Sequence, residues 1–229
     1  MTHRAEVMAV TERWYGVFVA LVTDLRDPDG LGRVKITLPW APDSDGSRYE
    51  AWARIATLMA GGKRGSWFVP DVDDEVLVAF DAGDSRTPYV IGGLWNGTDA
   101  PPFSMDSAGR NNTKMIRSRN GVTITLDDTQ GSERCVIETP GGQKVTLSDG
   151  PGVVEIADAN GNTVKLESAG VTVTSSATVT VQASQVKVSA ASVSVNAGMS
   201  TFSGVVKADT VIANAVISAS YTPGAGNIW

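Results

Sequence analysis

The chain has 229 residues with 24 Gly, 10 Pro, 19% charged residues and a net charge of −6. That length fits one or two domains, and a composition rich in Gly, Val, Thr and Ser favours strands and turns over helices. An acidic balance with no basic block argues against nucleic acid binding by phosphate neutralisation and serves solubility instead.

The single cysteine, Cys135, allows no intrachain disulfide, and the single histidine, His3, gives no basis for His-dependent zinc or iron chemistry within one chain. Without a histidine partner, Cys135 reads as a small buried apolar residue rather than a nucleophile. No apolar run is long enough to span a bilayer. Met1-Thr2-His3-Arg4-Ala5-Glu6 lacks the basic-then-apolar order of a signal peptide. The expectation is synthesis in the bacterial cytoplasm, with any membrane role arising from assembly.

Residues 1–13 carry no strong pattern and read as an N-terminal arm. Residues 14–97 read as a small β domain. Strands are expected at Tyr15–Val22, Arg33–Leu38, Trp52–Ala56, Glu75–Phe80 and Pro88–Trp95. The second alternates polar and apolar residues as a half-buried strand does. Asp27-Pro28-Asp29-Gly30 supplies a turn, and Gly61-Gly62-Lys63-Arg64-Gly65 a mobile loop. Five strands in so short a stretch suit a closed barrel, because closure removes exposed edges.

Residues 98–112 form a linker, with Ala100-Pro101-Pro102 and Gly109-Arg110-Asn111-Asn112 blocking regular structure. Residues 113–220 repeat short apolar alternations: Val122/Ile124/Leu126, Val145/Leu147, Val164/Leu166, Val171/Val173, Val179/Val181, Val186/Val188 and Val193/Val195. Up to Gly170, strong turns at about ten-residue spacing predict short antiparallel strands in a meander. Beyond it the spacing tightens to seven or eight residues and the turns become Ser-Ser-Ala, Ala-Ser-Gln and Ala-Ala-Ser, the mark of a solenoid with one strand per step. A lone chain has almost nothing to pack these valines against. Three intertwined copies, each giving strands to the faces of a triangular prism, bury them on the axis and pair the backbone. The axis residues expected are Val164, Leu166, Val171, Val173, Val179, Val181, Val186, Val188, Val193 and Val195. Residues 221–229 break the repeat and read as a tip segment, with Tyr221, Ile228 and Trp229 expected to contact a cap.

Several motifs carry a resemblance. Gly32-Arg33-Val34-Lys35-Ile36 followed by Leu38-Pro39-Trp40, then Trp52-Ala53-Arg54, Asp74-Glu75-Val76-Leu77-Val78-Ala79-Phe80, Pro88-Tyr89-Val90-Ile91-Gly92 and Leu94-Trp95-Asn96-Gly97 stand in order. Together they resemble the phage baseplate assembly protein V and VgrG family of central spikes in contractile injection systems. The resemblance implies an all-β chain: an N-terminal OB-fold barrel followed by a C-terminal trimeric intertwined β-helix, the triangular β-prism. It implies a non-enzymatic spike that docks on a separate hub at the end of the tail tube and pierces the target envelope when the sheath contracts. A type VI secretion spike is the alternative, and a carbohydrate-binding or enzymatic β-solenoid a more distant one. Hub contacts are expected at Trp14 and at Gly61, Gly62, Lys63, Arg64 and Gly65. Trp40, Trp52, Trp67 and Trp95 fall within or near these motifs and read as core or hub contacts rather than stacking platforms.

No lysozyme domain fits between barrel and prism, and the tail lacks the His-x-His iron motif of some phage spikes. No catalytic, cofactor or metal residue is therefore expected, and a PAAR-like protein is expected to cap the tip. Assembly into a virion tail or an extracellular injection particle follows from the same resemblance.

Overall fold

The structure, a computed structural model, describes residues 13–42 and 46–219. The barrel strands are β1 (Val17–Asp24), β2 (Val34–Pro42) and β3 (Arg48–Ile55). A two-residue hairpin follows, β4 (Ala60–Gly61) and β5 (Arg64–Gly65), and then β6 (Glu75–Phe80) and β7 (Pro88–Gly93). The barrel closes in the order β1-β2-β3-β7-β6. Neighbours are antiparallel except β3 and β7, which run parallel. This is the five-stranded OB-fold arrangement. Its core follows from strand periodicity. Val76, Val78 and Phe80 point inward from β6, Val34, Ile36 and Leu38 from β2, and Ala20 and Val22 from β1.

Aromatic rings close one end of the barrel. Trp14 packs on Phe80 at 5.2 Å and Tyr49 at 5.4 Å, and Phe18 stacks on Trp40 at 5.4 Å. The Trp14 backbone N–H donates to the Gly83 carbonyl at 2.9 Å. The turn between β1 and β2 is built around one carboxylate. Asp27 accepts from the backbone N–H groups of Asp29, Leu31 and Arg33 and from the Arg33 guanidinium. These bonds, the Arg33 guanidinium first, hold the Asp27 carboxyl well below the usual carboxylate range.

After the linker comes a seven-stranded antiparallel meander: β8 (Thr113–Arg117), β9 (Thr123–Asp127), β10 (Arg134–Glu138), β11 (Lys144–Ser148), β12 (Val153–Ala157), β13 (Thr163–Glu167) and β14 (Gly170–Thr174). Every reversal carries a glycine with positive φ: Gly121, Gly131, Gly142, Gly152, Gly161 and Gly170. No other residue type enters that region freely, so these glycines let one chain fold back on itself six times. Arg119 in the first turn pairs with Asp71 of the barrel domain at 2.9 Å.

Among the described residues no glycine with positive φ follows Gly170, and no strand follows Thr174. Within the expected 113–220 region, the antiparallel meander anticipated up to Gly170 is thus an intrachain sheet that extends to Thr174, and an extended segment without strands follows it. The chain separates into the units Met1–Thr178 and Val179–Trp229.

Candidate assembly interface

Strand pairing sorts the residues of the meander onto two faces, because residues directly opposite in an antiparallel pair share a face. One row runs Ile116, Ile124, Ile137, Val145, Ile156, Val164, Val173 across all seven strands. A second row on that face runs Lys114, Leu126, Cys135, Leu147, Val154, Leu166, Val171. Apart from Lys114 at the first strand, both rows are apolar. Lys114 sits at the sheet edge and pairs with Asp128 at 3.3 Å. Between the rows, on the opposite face, lie Met115, Thr125, Val136, Thr146, Glu155, Lys165 and Thr172.

The apolar face is uncovered within the chain. Ile116 is 52% exposed and Leu147 46%. Contiguous apolar area of this extent marks an interaction surface. Covering the exposed half of such a side chain contributes on the order of 1 kcal/mol.

Side edges of the sheet are formed by its turns. One edge stacks the turns 118–122, 139–143 and 158–162. A side chain on Gly121 would meet Pro140 at 3.2 Å, and one on Gly142 would meet Ala159 at 3.2 Å. The other edge stacks 128–133 and 149–152, where a side chain on Gly150 would meet the Gly131 carbonyl oxygen at 2.5 Å. Asp158 ties its turn by accepting from the Asn162 side chain at 2.7 Å and backbone at 2.8 Å, which with Asn160 lowers its pKa to about 2.

Beyond β14, Val179, Val181, Val186, Val188, Val193 and Val195 are all exposed in the single chain. The backbone bends at Ser184, Ala191 and Gly198, seven residues apart, then at Gly204, Asp209, Asn214 and Ala219, at five- or six-residue intervals. The shortening was not anticipated, since the expected step was seven or eight residues throughout. Its signal is present in the adjacent pairs Val205-Val206, Val211-Ile212 and Val216-Ile217.

The four expected axis residues within the sheet, Val164, Leu166, Val171 and Val173, lie together in the two apolar rows. The expectation began these candidates at Val164, although the rows start at Ile116. Adjacent apolar pairs such as Met115-Ile116 and Val136-Ile137 blur the alternation that would have revealed them. Of the hub candidates, Gly61, Gly62, Lys63, Arg64 and Gly65 are exposed on the β4–β5 hairpin, so this loop is a formed hairpin. The Trp14 ring is instead committed to the barrel's aromatic end, since it borders Phe18, Trp40, Tyr49 and Phe80. Trp67, read from the sequence as a core or hub contact, is 76% exposed, and near it Leu58, which sequence reasoning did not single out, is 97% exposed. Tyr221, Ile228 and Trp229 lie outside the described residues.

Two family models match the chain. Residues 18–95 match the type VI secretion system/phage-baseplate injector OB domain. Residues 134–201 match the phage baseplate V C-terminal trimerisation domain. The chain belongs to the phage baseplate V and VgrG-like spike family. Its trimerisation domain begins within the meander and runs into the strandless segment. Among curated relatives, the type VI secretion system spike protein VgrG3 of Vibrio cholerae is 28% identical over 113 residues, 48% of this chain and 11% of that protein. VgrG1b of Pseudomonas aeruginosa, also a type VI secretion system spike protein, is 27% identical over 128 residues, 53% of this chain and 17% of that one. The actin cross-linking toxin VgrG1 of Vibrio cholerae is 28% identical over 110 residues, 46% of this chain and 10% of the toxin. The chain thus spans less than a fifth of the length of these relatives.

Proposed function

We propose that this chain is the central spike of a contractile tail or injection machine, acting as a homotrimer that pierces the target envelope on sheath contraction. The observation that carries this reading is the uncovered apolar face of β8–β14, two rows in register across seven strands, of which β10–β14 lie inside a matched trimerisation domain. Three such faces turned inward make a prism with a dry axis and polar outer walls. The extended segment continues the Val-x-Val pattern, and its backbone groups find partners on neighbouring chains. A prism paired along its length resists bending, which a leading object under axial load requires. The role is mechanical, not catalytic.

The barrel is the docking module in this reading. The β4–β5 hairpin presents Lys63 and Arg64 beside Leu31, Leu58, Met59 and Trp67, a mixed apolar and basic surface suited to a hub protein at the end of the tube. A PAAR-like cap is assigned to the far end, over residues 221–229. The similarity to type VI spike proteins favours, as a second reading, a spike of that secretion system. Either places the protein in a particle assembled in the bacterial cytoplasm.

Sedimentation of the purified chain tests this. The expected species is a trimer that resists heat and detergent. Val179→Asp and Val188→Asp each bring three like charges to one level of a dry axis and are expected to abolish the trimer. A folded monomer, or a trimer indifferent to both substitutions, overturns the reading.

A further inference from the structure

The two side edges of the meander differ, and three-fold symmetry constrains how they meet. In a closed ring of three identical sheets, each protomer presents one edge to the opposite edge of its neighbour. A pure rotation also brings the two ends of the same strand together at each level. We propose that charged residues at opposite ends of β10 and β11 form an interprotomer seam: Glu138 with the neighbour's Arg134, and Lys144 with the neighbour's Asp149. This rests on the trimeric reading above.

The pairing follows from placement. Strand β10 begins with Arg134 and ends with Glu138, while β11 begins with Lys144 and is followed directly by Asp149. Each strand therefore carries opposite charges at its two ends. Glu138 and Lys144 stand directly opposite one another at one edge. Arg134 and Asp149 stand at the other, where the Asp149 N–H donates to the Glu133 carbonyl at 3.0 Å. Among the described residues Glu138, Lys144 and Asp149 form no ion pair. Arg134 is bound to Asp127 at 3.1 Å with its side chain 56% exposed, which leaves donors of its guanidinium free. All four lie on or beside strands of the trimerisation domain, so the seam is continuous with the apolar rows it flanks. The other side edge-to-edge arrangement, like against like, would set Lys144 against Lys144 and Asp149 against Asp149.

Lys144 and Asp149 are separated by a strand of five residues, about 17 Å. Coupling between them thus reads a contact between chains. Lys144→Glu and Asp149→Lys are each expected to lower the trimer melting midpoint by about 2–4 °C. The double variant restores the pair with reversed polarity at every seam and is expected to recover most of that loss. On a Cys135→Ser background, Lys144→Cys with Asp149→Cys should oxidise to a covalent three-chain species, since the intrachain distance far exceeds the ~7 Å limit for a disulfide. A trimer in which the double reversal is merely additive and no three-chain product forms removes the seam and leaves the spike reading intact. Covalent dimers from Lys144→Cys alone would show like edges meeting and overturn it too. A monomer by mass removes both.

Discussion

Asp27 shows how one carboxylate fixes a turn. Its side chain is nearly buried, paired with Arg33 at 2.6 Å, and it collects backbone N–H groups from three residues. Folding depresses its pKa, so the stabilisation is fully present above its unfolded value near pH 4 and drains away as pH falls through the folded value. The barrel should therefore melt at lower temperature as the pH drops below about 4. Asp27→Asn should melt lower at neutral pH and show a shallower acid slope. Calorimetry across pH 2–8 checks both; an unchanged slope would assign the acid response elsewhere, for instance to Asp24 or Asp84, whose arginine neighbours lower them to about 2.

At the scale of elements, the reversals of the meander are set by glycine and by the space between stacked turns. Gly150 is the tightest case, because a side chain there would press on a backbone oxygen that cannot swing away. Gly150→Ala should cost about 1–3 kcal/mol and loosen the edge formed by the 128–133 and 149–152 turns. Thermal melting measures the loss, and hydrogen exchange at the Ser132 and Asp149 amides, which donate to the Thr129 and Glu133 carbonyls, locates it. Alternation in β2 and β6 made the barrel legible, since Val34/Ile36/Leu38 and Val76/Val78/Phe80 each face a single core. The meander was legible from its turn signals. Its interface was less so, because Val136-Ile137 and Val153-Val154 place apolar residues on both faces, and only pairing decides which belong to the rows. Trp14, expected as a hub contact, shows a packing role that its position just before a strand does not reveal: its half-buried ring borders the aromatic end of the barrel.

For the whole molecule, the order is barrel, intrachain sheet, then a segment whose valines have no partner in their own chain. The sheet folds from local hairpins, so it can form before the chains meet. The seven-residue steps that follow are alike and carry little information about register. In the proposed trimer the sheet rows, with distinct Ile, Leu and Cys positions, would set the alignment of three chains before those steps wind together. Deleting residues 221–229 should leave the trimer and its melting unchanged while abolishing co-purification of a cap protein. A trimer that dissociates on this deletion would show instead that the tail plugs the prism.

The shortening of the step between Gly198 and Ala219 has a mechanical consequence. If one step spans one face, the side of the prism scales with residues per step, about 23 Å for seven residues and about 17 Å for five. Cross-sectional area falls with the square of that side, to about half. In the proposed spike, a fixed thrust along the axis would then act at about twice the pressure at the narrowed end, so the sequence period itself would sharpen the tool.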